Sequence, residues 1–201
     1  MRKIVAALLM SLDGVVDGTD RWGWPRYMNA EMTAGIVAGV AQADAVLLGR
    51  RTYEQFAKIW PGRGSEVPMA DFLNHSPKYV VSTTLREPLE WSNSKVIVGD
   101  LAPELERLRS QPGKNIQVPG SPTLVRSLLR DGLLDELTVS ICPVVVGQGM
   151  RLFDGIGGEV SLRLVRSVPL SNGVLGVTYA PARPDRDSGA ADFPTVAASA
   201  R

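Results

Sequence analysis

The chain has 201 residues, of which 44% are apolar and 21% charged, with a net charge of +1 and a single cysteine. No long block of either charge sign is present, which argues against a nucleic-acid surface. The longest apolar runs, 45–49 and 141–147, fall far short of a membrane span. Cys142 stands alone, so no internal disulfide can form, which suits a reducing cytoplasm, and its apolar neighbours favour a packing role.

The N-terminal MRKIVAALLM passes straight into Ser11-Leu12-Asp13-Gly14 without a small-residue cleavage site, so it reads as a first core strand, Ile4–Met10, and not as a signal peptide. A loop containing Gly, Asp and Trp follows through Pro25. Residues 29–43 read as a helix with Met32, Ile36, Val37 and Val40 at helical spacing. Ala45–Leu48 is a short buried strand, and Thr52–Trp60 a helix stopped by Pro61-Gly62. Strands are expected at Lys78–Ser82, Val96–Val98 and Ile116–Val118, the last two followed by helices at Pro103–Arg109 and Thr123–Arg130. Such alternation predicts an α/β fold with a largely parallel sheet covered by helices on both faces.

The last third differs. Leu137–Val146 reads as one long strand whose Pro143 implies a bulge or an edge position. Ser161–Val168 and Val174–Ala180 flank Asn172-Gly173, a hairpin signal. The sheet is therefore expected to be mixed, mostly parallel, with an antiparallel C-terminal hairpin. Residues 1–181 form the expected domain. The remainder, rich in Pro, Ala, Ser, Asp and Arg, reads as a disordered tail over 182–201.

Two places share one design, a buried strand running into a glycine and then a helix. In the first, Leu48-Gly49-Arg50-Arg51-Thr52, Thr52 reads as an N-cap with Gln55 completing a capping box. In the second, Val118-Pro119-Gly120-Ser121-Pro122-Thr123-Leu124, Ser121 is the expected N-cap and Pro122 the first helical residue. Every helix needs capping, so either turn can be structural only. Strand-to-helix turns nevertheless lie at the carboxyl edge of a parallel sheet, where backbone N–H groups and the helix dipole favour phosphate. Arg50 and Arg51 add a fork suited to phosphate, and two such turns suggest a ligand with two phosphate regions. No G-x-G-x-x-G follows a strand, and Gly147-Gln148-Gly149 reads as a tight turn. With His75 the only histidine, no metal site is expected.

Five ordered segments carry a family resemblance: Ser11-Leu12-Asp13-Gly14, LLGRRTYE at 47–54, KYVVSTTL at 78–85, Gly120-Ser121 ahead of LVRSLLRDGLLDEL, and PVVVGQGMRLF at 143–153. Together they resemble the dihydrofolate-reductase superfamily, in the branch similar to the C-terminal reductase domain of the bacterial riboflavin-biosynthesis protein RibD. The resemblance spans nearly the whole chain up to Pro181. It implies NADPH as cofactor, with Gly49, Arg50, Arg51 and Thr52 on its phosphates and a basic residue there holding the 2′-phosphate. It places Val81, Ser82 and Thr83 on the adenosine side, and the turn from Pro119 through Gly120, Ser121 and Thr123 to Leu124 on the pyrophosphate. Ala6 and Ala7 would line the nicotinamide pocket, and the loop from Asp13 to Trp24 would match a mobile loop that closes over the cofactor.

The catalytic carboxylate of dihydrofolate reductases falls at Thr33, which cannot serve in that way, and Glu31 lies two residues earlier. Asp13 and then Glu31 are the candidate proton donors, Asp13 being equally suited to a turn role in Asp-Gly. Trp22 and Trp24 either stack on a flat substrate or pack the loop against the core. The resemblance thus implies an NADPH-dependent reductase of a small pyrimidine- or pterin-like heterocycle or carbonyl compound, related to 5-amino-6-(5-phosphoribosylamino)uracil reductase, as a homodimer with an interface near Leu137–Phe153. The alternatives are a dinucleotide-binding sensor without turnover and a homodimeric structural protein.

Overall fold

The computed structural model describes residues 1–67 and 69–182, so the expected tail lies, but for its first residue, outside the described residues. Eight strands, β1 (Ile4–Ser11), β2 (Ala43–Gly49), β3 (Lys78–Val81), β4 (Ser94–Ile97), β5 (Asn115–Gly120), β6 (Glu136–Cys142), β7 (Leu162–Pro169) and β8 (Leu175–Pro181), build one sheet in the order β4-β3-β2-β5-β1-β6-β8-β7. β1 to β6 run parallel, while β8 is antiparallel to both β6 and β7. This is the mixed, mostly parallel sheet with an antiparallel C-terminal hairpin that the residue pattern predicts.

The apolar runs of β1 and β2 match their central positions in the sheet. Leu47 and Leu48 of β2, and Ile4 and Ala6 of β1, are wholly buried because helices cover both faces at the centre of the sheet. One face packs on α6 (Leu101–Ser110) and α7 (Pro122–Arg130), whose Leu105, Leu108, Leu124, Val125, Leu128 and Leu129 recur at helical spacing. On the other face Val46, Leu48 and Val80 meet Tyr53 of α4 (Arg50–Ile59), Leu73 of α5 (Ala70–His75) and Trp91. A third, smaller cluster of Leu9, Met32, Cys142 and Val174 seats the loop after β1, with Trp22 and Tyr27 packed against it.

Several expected boundaries move. Pro143 follows the last residue of β6, a strand paired on both edges, so it terminates an interior strand and makes no bulge there. The bulge in this half of the sheet falls in β7, between Leu164 and Arg166. Three short helices, α1 (Thr19–Trp22), α2 (Trp24–Tyr27) and α5, are too brief to show a helical period in the sequence. α3 (Ala30–Ala41) begins after Asn29, whose side chain caps the Met32 N–H at 2.9 Å. Of its apolar stripe only Met32 is fully buried, and Val37 is 48% exposed.

Candidate functional site

Strand pairing opens a crevice at the carboxyl edge of the sheet. β1 pairs with β5 only as far as Ala6↔Val118. Beyond that point β1 continues along β6 to Ser11↔Cys142, while β5 continues along β2 to Leu48↔Gly120. The two central strands therefore part immediately after Ala6, and Ala7, the next residue of β1, is half-buried at the fork. A fork between strands at this edge is where open α/β sheets receive ligands.

The two glycine turns flank that fork and touch each other. A Cβ on Gly49 would overlap Ser121 Oγ and lie 3.1 Å from Ser121 Cβ and backbone nitrogen. A Cβ on Gly120 would lie 2.9 Å from Thr52 Oγ1. Close approach of the turns thus requires both glycines. The Gly120–Ser121 peptide bond between them is cis.

Capping at this junction departs from the sequence expectation. α4 starts at Arg50 with Gly49 as its N-cap, so Thr52 is a buried residue of the first turn and the Thr52/Gln55 capping box does not form. Ser121 does occupy the N-cap of α7 and Pro122 its first turn, but the serine hydroxyl makes no capping hydrogen bond. α3 and α6 are capped by Asn29 and Asp100, whereas neither helix at the junction has a side-chain cap. Two sets of first-turn N–H donors therefore converge beside the fork without side-chain acceptors, an arrangement suited to anionic oxygens.

The flanking polar residues divide in role. Arg50 pairs with Glu54 one turn on, at 3.0 Å, which neutralises part of its charge. Arg51 is exposed and makes no ion pair among the described residues. At the end of β3, Val81 pairs with Gly49, which sets Ser82 and Thr83 beside the first turn. The buried Ser82 hydroxyl accepts from the N–H groups of Thr84 and Leu85 at 3.1 and 3.0 Å, so it closes its own turn. Thr83 is exposed and its hydroxyl has no hydrogen-bond partner among the described residues. Leu124 is buried and anchors α7, and Thr123 beside it is exposed in the first turn.

Both candidate proton donors are committed to the fold. The Asp13 carboxylate accepts from Ser11 Oγ at 2.7 Å and from the N–H groups of Val146 and Gly147 at 3.0 and 2.9 Å. The Ser11 hydroxyl first, and then those two amides, hold its carboxyl at about 2, well below the usual 3.8. These three hydrogen bonds are the ones that the turn role of Asp13 requires. The Glu31 carboxylate accepts from the Ser171 hydroxyl, the Ser171 N–H and Asn29 Nδ2, which lowers its pKa and ties α3 to the C-terminal hairpin.

Residues 12–17 of the loop after β1 are hydrogen-bonded to residues 144–152. Leu12 N–H donates to Val144 O, Val16 N–H to Met150 O and Leu152 N–H to Gly14 O, at 2.8–2.9 Å. Asp17 accepts from Met150 N–H at 2.9 Å, and Val15 bridges Arg151. Val15, Val16 and Leu152 are buried beneath these bonds. Between the two loops lies a cleft of about 430 Å³ lined by Asp17, Arg21, Trp22, Val146, Gln148 and Gly149. Trp22 reaches both the cleft and the third core cluster, and its indole N–H donates to Asp17 O at 2.8 Å. Trp24 is 38% exposed and belongs to no core cluster. Asp17 and Arg151 escape sequence reasoning because their partners lie more than 130 positions away.

A family model described as the RibD C-terminal domain matches residues 2–176. The uncharacterized protein YyaP of Bacillus subtilis is 28% identical over 182 residues, covering 89% of this chain and 94% of its own. The crystal structure of a putative riboflavin biosynthesis protein from Shewanella sp. PV-4 superposes with a TM-score of 0.70 at 21% identity, covering 90% of this chain and 99% of that one. Dihydrofolate reductase from Enterococcus faecalis, solved in complex with NADP(H), superposes with a TM-score of 0.61 at 14% identity, covering 90% and 97% of the two chains. The fold is therefore that of dihydrofolate reductase.

Proposed function

The chain belongs to the RibD C-terminal domain family, and on that premise we propose that it is an NADPH-dependent reductase of a small pyrimidine- or pterin-like heterocycle or carbonyl compound. The observation that carries this reading is the convergence of two helix N-termini without side-chain caps beside the β1/β5 fork. Along the carboxyl edge the strand ends follow in the order β3, β2, β5, β1. Three inter-strand steps span about 14 Å, a length suited to an extended dinucleotide. Its adenosine end would lie by Thr83, its pyrophosphate on the α4 and α7 turns, and its nicotinamide at Ala7.

In that placement Arg51, with no ion-pair partner among the described residues, is the residue that separates NADPH from NADH. Arg50 and Ser82 serve indirectly, one balanced by Glu54 and the other shaping its turn. NADPH supplies the hydride, and the fork and turns hold and orient it. Since Asp13 and Glu31 are engaged elsewhere, the proton for a reduced ring nitrogen or carbonyl oxygen comes from solvent.

That same engagement favours a second reading, a dinucleotide-binding sensor without turnover. A screen of pyrimidine, pterin and carbonyl compounds for NADPH oxidation separates the two. For the dimer, the interior position of β6 excludes its paired edges as an interface. Exposed apolar residues on which a second copy would pack lie within the expected segment, at Val145 and Phe153, and on the hairpin, at Leu164, Val165 and Leu175.

Titration with NADPH and NADH tests the cofactor reading. Micromolar NADPH binding, at least tenfold weaker for NADH and weakened again by Arg51→Ala, is the expected result; no saturable binding of either nucleotide overturns it.

A further inference from the structure

Arg126 lies one turn into α7 and connects two parts of the edge that the chain separates. Its Nη2 donates to Thr123 Oγ1 at 3.2 Å and approaches Met150 Sδ at 3.7 Å, while Nη1 donates to the carbonyl oxygen of Asp154. Met150 in turn accepts from Val16 N–H at 2.9 Å and donates to the Asp17 carboxylate at 2.9 Å. A continuous set of contacts therefore runs from the first turn of α7, through Arg126 and Met150, to the loop after β1.

We propose that Arg126 is a positioning residue that couples anion binding at the α7 turn to the ordering of the paired loops 12–17 and 146–154. The proposal rests on the cofactor reading above. Its chemistry is specific. A hydroxyl has one donor hydrogen and two acceptor lone pairs. Thr123 Oγ1 already accepts from a guanidinium, so its hydrogen is left to point outward, toward an oxygen at the helix N-terminus. Donation to phosphate polarises the hydroxyl and strengthens its bond from Arg126. That bond holds the guanidinium against Asp154 O and Met150. The 146–157 segment contains four glycines at positive φ, Gly147, Gly149, Gly155 and Gly157, so it depends on such tethers for one conformation. By reciprocity, loosening the tether weakens nucleotide binding by the factor with which the nucleotide orders the loop.

The test uses the full chain, wild type and the Arg126→Met and Arg126→Lys variants. NADPH affinity is read by nicotinamide fluorescence, and hydrogen exchange is followed at the Val16, Met150 and Leu152 amides. In the wild type, NADPH slows exchange at these amides. Arg126→Met weakens NADPH about fivefold or more and abolishes that slowing, while core amides of β1 exchange as before. Arg126→Lys, which keeps the charge and one donor to Thr123, restores part of both effects and serves as the readout should the methionine variant fold poorly. Wild-type affinity and undiminished slowing in both variants overturn the coupling alone. Absence of NADPH binding by the wild type overturns the cofactor reading and the coupling with it.

Discussion

Replacing Gly49 by alanine forces a side chain into the contact between the two glycine turns. The new Cβ overlaps Ser121 Oγ and sits 3.1 Å from Ser121 Cβ and backbone nitrogen. Ordinary carbon contacts lie at about 3.5–4.0 Å. Ser121 makes no capping bond, so its hydroxyl can rotate away, but its Cβ and nitrogen move only with the backbone of the turn. Overpacking costs about 1–3 kcal/mol, and partial relief by rotation puts Gly49→Ala at about 1–2 kcal/mol. For a chain of this size that lowers Tm by about 2–8 °C. The turns spread in the process, and loss of one charge-assisted bond to phosphate weakens NADPH about tenfold. The double variant Gly49→Ala/Ser121→Gly removes the opposing Cβ and Oγ, so it recovers most of the Tm and affinity lost in the single variant. Calorimetry and fluorescence titration on the three proteins check this. A Gly49→Ala protein with unchanged Tm and unchanged NADPH affinity would refute the convergence of the turns as the basis of the site.

The remaining predictions concern the scaffold around that edge. Asp13 titrates at about 2 in the folded chain against 3.8 ordinarily, so its contribution is complete above about pH 4 and disappears as pH falls toward 2. Asp13→Asn should flatten that part of the acid-unfolding profile and speed exchange of the Val146 and Gly147 amides; a profile identical to wild type would contradict the assignment. Glu31→Gln should free the α3–hairpin contact at Ser171 while leaving NADPH affinity within twofold, since among the described residues Glu31 hydrogen-bonds Asn29 and Ser171; a tenfold loss of affinity would return Glu31 to the site. Lys78 is wholly buried, and burial lowers its pKa to about 8, yet its ammonium donates to the carbonyls of Leu73 and Ser76 at 2.8 and 2.9 Å and faces the Trp91 ring at 4.6 Å. Lys78→Met leaves those carbonyls unpaired and should cost about 2–4 kcal/mol by denaturant unfolding at pH 7; a neutral result would show that the charge is a net burden there.

Much of the architecture was legible in the sequence because it follows from local rules. Alternating apolar strands and helical stretches specify a parallel α/β layer, Asn172-Gly173 marks a hairpin, and glycine at a strand end followed by a helix marks a turn open to ligands. Residues 47–54 and 120–123 could be singled out on those grounds alone. What the sequence could not supply was the pairing of distant groups. Thr52 does not cap its helix because α4 starts two residues earlier, at Arg50, and its close approach to Gly120 is a contact that local pattern does not reveal. Asp13 looks the same in sequence whether or not it pins a loop; only the tertiary structure brings the amides of Val146 and Gly147 onto its carboxylate, across the edge formed by the β1–β6 pairing. The same holds for the hydrogen bonds that join residues 12–17 to residues 144–152, and for the fork after Ala6, which exists because β1 and β5 choose different partners beyond that point. Periodicity and turn chemistry act over a few residues and are written in the chain. Charge state, capping and the opening of a crevice depend on which groups meet across the sheet, and that is settled only when the strands have found their order.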